Sequence, residues 1–242
     1  MSREPCAAVV FDVDGTLVDS ERDGHRPMFN AAFAAAGLPY RWDVEEYGRL
    51  LAITGGRRRL AAYLESRGHD AREAADLAAR LHRDKTERMR DLVASGEIAA
   101  RPGARELLRE LASLGTTLAV ATTGTRDWVE PLLRRLFGED LFEVVVTGSD
   151  VHTLKPDPAA YVEALNRLGL PASHAMAVED SGNGLRAAVA AGLRCVVVTN
   201  DYTRHEDFTG AAAVYRGFAA WRADPAAPLP VGSRATGQGP SR

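Results

Sequence analysis

The stretch Ala7-Ala8-Val9-Val10-Phe11-Asp12-Val13-Asp14-Gly15-Thr16 decides the fold. Its unbroken apolar run, without polar alternation, predicts a strand buried on both faces. The run leads straight into Asp12 and Asp14, spaced so that both can face one site, and Gly15-Thr16 form a turn. Carboxylates at the end of a buried strand, beside a turn, suit metal binding and attack on phosphorus.

Outward from this strand, similar apolar runs recur at 117–122, 143–147, 175–179 and 194–198. Helical stripes lie between them. Leu107, Leu108, Leu111 and Leu114 share a face that stops at Gly115; Tyr161, Ala164, Leu165 and Leu168 stop at Gly169; Leu185, Ala188 and Val189 stop at Gly192. A glycine just past each stripe is a C-cap signal. Strands alternating with helices predict an α/β fold with a parallel sheet covered on both faces. The first two strands break the rhythm, because about a hundred residues separate them, far more than a crossover needs. That insert, 22–100, reads as all helix. Phe29, Ala32, Phe33 and Ala36 form one stripe, and a longer helix starts near Asp70 with Ala74, Leu77, Leu81, Met89 and Leu92 in phase. The predicted organisation is therefore a discontinuous core of 1–21 and 101–222, a helical domain of 22–100, and a disordered tail at 223–242 rich in Pro, Gly, Ser and Ala.

Bulk properties narrow the function classes. A net charge of -3 over 242 residues gives no footprint for nucleic acid. No apolar stretch is long enough to span a membrane, and nothing at the N-terminus reads as a signal peptide. Cys6 and Cys195, the two cysteines, read as small core residues in a reducing cytoplasm. Of 30 basic residues only Lys85 and Lys155 are lysine, which raises the question of why arginine does not serve there.

Ligands of open parallel sheets bind at the carboxyl ends of the strands. Those ends carry Asp12 and Asp14, then Thr122, then Lys155 after a short loop, then Glu179 and Asp180. Crowded acids repel one another unless a cation sits among them, and hard oxygen donors suit Mg²⁺. Thr122 and Lys155 can hold phosphoryl oxygens. Pro156 suits a first helical turn, which places the Lys155 ammonium near a helix N-terminus.

These four segments, FDVDGT, the strand ending in Thr122, Lys155-Pro156-Asp157-Pro158 and Glu179-Asp180-Ser181, resemble the four motifs of the haloacid dehalogenase (HAD) superfamily. The insert resembles its helical C1 cap in the β-phosphoglucomutase-like subgroup. The resemblance implies a Rossmann-like three-layer core and a phosphatase working through an aspartyl-phosphate. Asp12 would be the nucleophile, and Asp14 would protonate the leaving oxygen and then deprotonate water. The same resemblance implies Mg²⁺ held by Asp12, the Asp14 backbone carbonyl and Asp180, with Glu179 acting through water.

The cap should then choose the substrate. His25 lies one turn before Phe29 on its stripe, and Lys85 interrupts the apolar phase between Leu81 and Met89. A buried ammonium needs an anion or a shifted pKa. Thr54-Gly55-Gly56-Arg57 can wrap an anion with backbone amides and a forked donor. The segments 19–26, Trp42-Asp43, Glu46-Tyr47, Lys85-Thr86-Glu87, Arg101-Pro102-Gly103 and 202–205 resemble the CbbY-like phosphatases, which act on xylulose 1,5-bisphosphate. That resemblance implies substrate contacts from Glu21, His25, Thr54, Gly55, Gly56, Arg57, Lys85 and Thr123. Lys85 and Arg57 would supply the second anion pocket. The sequence departs from the family where lysine usually follows Gly-Gly, where tyrosine often replaces Met89, and at Gly124-Thr125-Arg126-Asp127-Trp128, where Thr or Ser and a nearby Asn are usual. A β-phosphoglucomutase-like mutase, another sugar-phosphate or phosphoglycolate-type phosphatase, and a non-catalytic binding module are the rival readings. The expected partner is a small phosphorylated sugar, with no nucleic acid, no membrane and a monomeric chain.

Overall fold

The computed structural model describes residues 6–227. The readings placed on residues 1–5 and 228–242 lie outside the described residues. Among the described residues, six strands form one parallel sheet: β1 (Ala8–Phe11), β2 (Thr117–Ala121), β3 (Val144–Val146), β4 (Ala175–Glu179), β5 (Arg194–Val198) and β6 (Ala213–Tyr215). Their spatial order is β3-β2-β1-β4-β5-β6, and every pair is parallel. The five expected strands are present. The sixth escaped the sequence reading because it is a three-residue edge strand with Val214 about half exposed.

Successive residues of β1 point to opposite faces. Val9 and Phe11 therefore join one apolar cluster with Leu118, Val120, Met176 and Val178. Ala8 and Val10 join the other with Ala119, Ala121, Ala175 and Ala177. Helices α5 (Ala104–Ser113), α6 (Arg126–Phe137) and α9 (Phe218–Arg222) cover the first face; α7 (Ala159–Leu168) and α8 (Gly182–Ala190) cover the second. This is the three-layer α/β arrangement that the alternating pattern predicts. Two local readings need correction. Lys155-Pro156 is not the first turn of a helix, since α7 begins at Ala159 with Pro158 before it. Residues 224–227 are tied down, because the Tyr215 hydroxyl donates to Asp224 at 2.7 Å and Ala227 packs on the core.

Between β1 and β2 the chain is helical. A π-helical turn over Glu21–His25 runs into α1 (Arg26–Ala35), followed by α2 (Val44–Leu50), α3 (Gly56–Ser66) and α4 (Ala71–Ser95). These helices hold a cluster of their own, built on Phe29, Phe33, Trp42, Tyr47, Leu60 and Leu64. Helix α4 starts where the Asp70 carboxylate accepts the Arg72 and Glu73 amides at 2.9 Å, and ends at left-handed Gly96. Its buried stripe is Ala74, Ala78, Leu81, Lys85, Met89 and Val93. Leu77 and Leu92, expected on that stripe, lie half-buried at its edges.

Candidate active site

At β1 and β4 the sheet order changes direction, with β2 and β3 to one side and β5 and β6 to the other. Such a switch point opens a crevice at the carboxyl ends. Phe11 is in register with Val120 and Val178, so Asp12 emerges level with Ala121 and Glu179. Lys155 enters from the loop after β3. Its ammonium donates to Asp12 Oδ1 and Glu179 Oε1, both at 2.6 Å, and to the Ala121 carbonyl at 2.8 Å. All three of its hydrogens are thereby used. Glu179 Oε1 also accepts the Tyr161 hydroxyl at 2.6 Å. Asp180 accepts from Thr16 Oγ1 at 3.1 Å and from Asn200 Nδ2 at 2.6 Å. Two glycines make room for these acids. A Cβ on Gly184 would stand 2.0 Å from the Glu179 carboxylate, and one on Gly15, at φ +81°, would stand 2.4 Å from Asp180 Oδ2.

The electrostatics of this group leave its acids under-compensated. Oxygens of Asp12, Glu179 and Asp180 lie within 4.8 Å of one another. Burial pushes Asp12 up to about 8; Lys155 opposes this, while Glu179 and Asp14 add to it. Burial, then Asp12 and Glu179, raise Asp180 well above the carboxylate range. Burial works against the Lys155 ammonium, but the flanking Asp12 and Glu179 hold it charged beyond the ordinary lysine range. One ammonium cannot balance three acids, so protons or a cation must make up the difference. The hard oxygen donors fit a hard divalent ion.

Asp14 turns away from this group toward the helical insert. Its Oδ1 accepts Ser20 Oγ at 2.5 Å and contacts His25 Nε2 at 2.9 Å, while His25 Nδ1 lies 2.8 Å from Lys85 Nζ. An ammonium only donates, so Nδ1 must accept. This geometry assigns the hydrogen to Nε2, which donates to Asp14. Burial raises the Asp14 pKa, but His25, Ser20 and Lys85 outweigh it and keep the group below its ordinary value. Burial pulls the Lys85 ammonium down to about 8, against Glu21 and Asp14, which favour its charge.

A cavity of about 460 Å³ separates the insert from the strand ends, with Asp12, Lys155 and Asp180 on its floor and Arg49, Thr54 and Arg59 on its roof. Glu21, Gly55 and Thr123 also line it. Glu21 accepts the Tyr47 hydroxyl. Thr54 Oγ1 accepts Asn183 Nδ2 at 3.1 Å across the gap. Thr122 is buried and its Oγ1 accepts the Gly124 amide at 3.1 Å. Gly56 opens α3 and, with His25 and Lys85, lines a smaller space of about 70 Å³.

Two of the residues expected to meet the substrate from the insert are Arg57 and Lys85. Arg57 is exposed and lines a groove beside His152 that adjoins the main cavity at Gly55 and Thr123. Because α3 begins at Gly56, Arg57 and Arg58 fall on its outer side. Arg59 joins the buried stripe with Leu60, Tyr63 and Leu64. Its Nη1 donates to the Tyr47 hydroxyl at 3.1 Å and its Nε to the Leu50 carbonyl at 3.0 Å. The i, i+1, i+4, i+5 spacing from Arg59 was a usable signal for this assignment. Lys85, expected to face a second phosphate, lies 2.8 Å from His25 Nδ1 and lines the small space with Gly55, Gly56 and Thr123. Ser20, Arg59, Tyr161 and Asn200 carry site contacts that the sequence reading missed.

The haloacid dehalogenase-like hydrolase profile matches residues 6–192. With the four strand-end groups assembled as described, the chain belongs to the haloacid dehalogenase-like hydrolases. Within that family it is similar to Protein CbbY of Cereibacter sphaeroides, 48% identical over 216 residues that cover 88% of this chain and 92% of the relative. It also resembles the crystal structure of CbbY from Rhodobacter sphaeroides in complex with phosphate, at 46% identity and TM-score 0.80, covering 88% of this chain and 95% of that one. A mutant of the same protein, solved in complex with xylulose-(1,5)bisphosphate, matches at 45% identity and TM-score 0.81 over 89% and 96% of the two chains.

Proposed function

We propose that this chain is a Mg²⁺-dependent phosphatase that hydrolyses a small sugar bisphosphate, xylulose 1,5-bisphosphate, to the sugar monophosphate. The observation that carries the reading is the pairing of two aspartates with divided tasks. Asp12 is held by Lys155 at one oxygen, and Asp14 is held by Ser20 and His25 at one oxygen. Each keeps its second oxygen for chemistry. The similarity to a CbbY solved with xylulose-(1,5)bisphosphate supports the choice of sugar.

Asp12 attacks phosphorus, the bond from phosphorus to the sugar oxygen breaks, and Asp14 delivers a proton to that oxygen. Water then attacks the aspartyl-phosphate, Asp14 takes its proton, and phosphate leaves. A bound phosphoryl group is a like charge beside Asp14 and raises its proton affinity, which readies it for the first transfer. Asp12, Asp180 and the Asp14 backbone carbonyl would hold Mg²⁺, with Glu179 through water. Bound there, the ion supplies charge neutralisation at the phosphoryl oxygens. Lys155 favours the ionised form of Asp12 against burial and orients its carboxylate. Above the site, Arg59 and Arg49 line the cavity and would receive the second phosphate. The inserted helices act as the lid. The two free, buried cysteines fit a reducing cytoplasm.

Turnover of xylulose 1,5-bisphosphate should release one equivalent of phosphate and one of monophosphate, and Asp12→Asn should abolish both turnover and the aspartyl-phosphate. Net interconversion of glucose 1- and 6-phosphates would establish a mutase instead. Retained hydrolysis in Asp12→Asn would overturn the mechanism.

A further inference from the structure

We propose that Trp128 is a positioning residue that fixes the plane of the His25 imidazole, and with it the hydrogen bond from His25 to Asp14. The proposal rests on the proton-transfer role given above to Asp14. Trp128 lies in the first turn of α6, on the sheet side of the molecule, and is 2% exposed. His25 ends the π-helical turn that leads into the insert. The two rings meet nearly perpendicular, with centroids 5.1 Å apart and planes at 86°. This is the edge-to-face arrangement that aromatic quadrupoles favour.

The hydrogen bonds of His25 do not hold the ring rigidly by themselves. On one side the partner is Lys85, whose four-carbon stem can follow a rotating ring. On the other it is Asp14, the group that must stay in place. The indole supplies a stiff wall against rotation about the histidine Cβ–Cγ bond. Its own position is determined by a bare backbone. A Cβ on Gly124 would stand 2.4 Å from Trp128 Cζ2 and 2.8 Å from Val129 Cγ2. Only glycine lets the indole lie against this loop. The loop is pinned on its far side, where the Gly148 amide donates to the Gly124 carbonyl at 2.8 Å. Arg126 Nη2 grips both oxygens of Asp150 at 2.7 and 2.6 Å. Trp128, Gly124, His25 and Lys85 line one small space next to Thr123. The loop that receives the phosphoryl group and the ring that orients Asp14 are therefore mechanically joined.

The test compares xylulose 1,5-bisphosphate, whose leaving oxygen needs a proton, with p-nitrophenyl phosphate, whose leaving group departs without one. Trp128→Leu should lower kcat on the sugar substrate by about tenfold or more relative to p-nitrophenyl phosphate, a fraction of what acid catalysis supplies. Trp128→Phe, which keeps an aromatic edge, should restore the ratio to within about threefold of the unsubstituted protein. Side-chain ¹⁵N spectra should show a single Nε2–H form of His25 in the unsubstituted protein and a mixture in Trp128→Leu. Equal losses on both substrates with an unchanged His25 spectrum would reduce Trp128 to a packing residue and overturn the proposal. A selective loss in His25→Ala but not in Trp128→Leu would leave the role of His25 standing and remove that of Trp128. If the unsubstituted protein turned over no sugar phosphate, the function proposed above would fail, and the His25 spectrum alone would decide for or against Trp128.

Discussion

Lys85 occupies a buried place in α4 that packing alone would give to an apolar side chain, and its partner explains why it is not arginine. A compact ammonium meets a single imidazole nitrogen, whereas a planar fork would not fit that contact. Burial, opposed by Glu21 and Asp14, leaves it with a pKa of about 8. Below that pH the ammonium donates to His25 Nδ1 and holds the hydrogen on Nε2. Above it the amine accepts as well as donates, and the arrangement at Asp14 loosens. Activity should therefore fall as pH rises through about 8, and kcat–pH profiles of Lys85→Met should lack that limb on a lower baseline. A limb that persists in the variant would assign it elsewhere. Arg59 makes the complementary case. Loss of a charge-assisted hydrogen bond costs about 1.5–3 kcal/mol. Arg59→Leu should therefore raise KM for the bisphosphate by roughly 10- to 150-fold and leave p-nitrophenyl phosphate little changed. Steady-state kinetics on the two substrates distinguish this from a general loss of folding.

At the scale of elements, α4 joins the two parts of the molecule. At 25 residues it is about 37 Å long. Its first half packs Ala74, Ala78 and Leu81 into the insert's cluster, and its second half packs Met89 and Val93 into the cluster under the sheet. Lys85 sits at the junction, so a shift of the helix is felt at His25. Helix α8 acts on the opposite side of the site. Its first turn passes so close to Glu179 that Gly184 cannot carry a side chain. Ser181 caps that turn by accepting the Gly184 amide at 3.1 Å. Gly184→Ala should displace Glu179, disturb Lys155, and weaken Mg²⁺ binding by about 10- to 100-fold, as read by titration calorimetry. Unchanged affinity would mean that the helix yields and the acid does not.

For the whole molecule, the proposed metal site predicts a gain in stability on Mg²⁺ binding, because three buried acids share one ammonium. A ligand bound by the folded chain alone, at a hundred times its Kd, adds about 2.7 kcal/mol. For a chain of this size that corresponds to a rise in Tm of about 5–10 °C. Thermal unfolding with and without Mg²⁺ should show the increment, and Asp180→Asn should remove most of it. A Tm indifferent to Mg²⁺ would argue against the proposed metal site.

Sequence alone determined the parallel sheet, the helical insert and the four groups at the strand ends. Those features are written in short, continuous segments, where an apolar run, a glycine stop or an Asp-Gly turn has a local cause. The three-residue edge strand β6 and the order of the hold on residues 224–227 were less legible, because neither carries a periodic pattern. Only the tertiary structure decided which basic residue faces the cavity and what engages Lys85. Arg57 and Arg59 differ by two positions, about 200° around a helix whose start was not visible in the sequence. Lys85 meets His25 across 60 residues of chain, and Trp128 meets His25 across the junction between insert and sheet. Contacts of that kind arise where separately folded surfaces come together, and no local pattern encodes them.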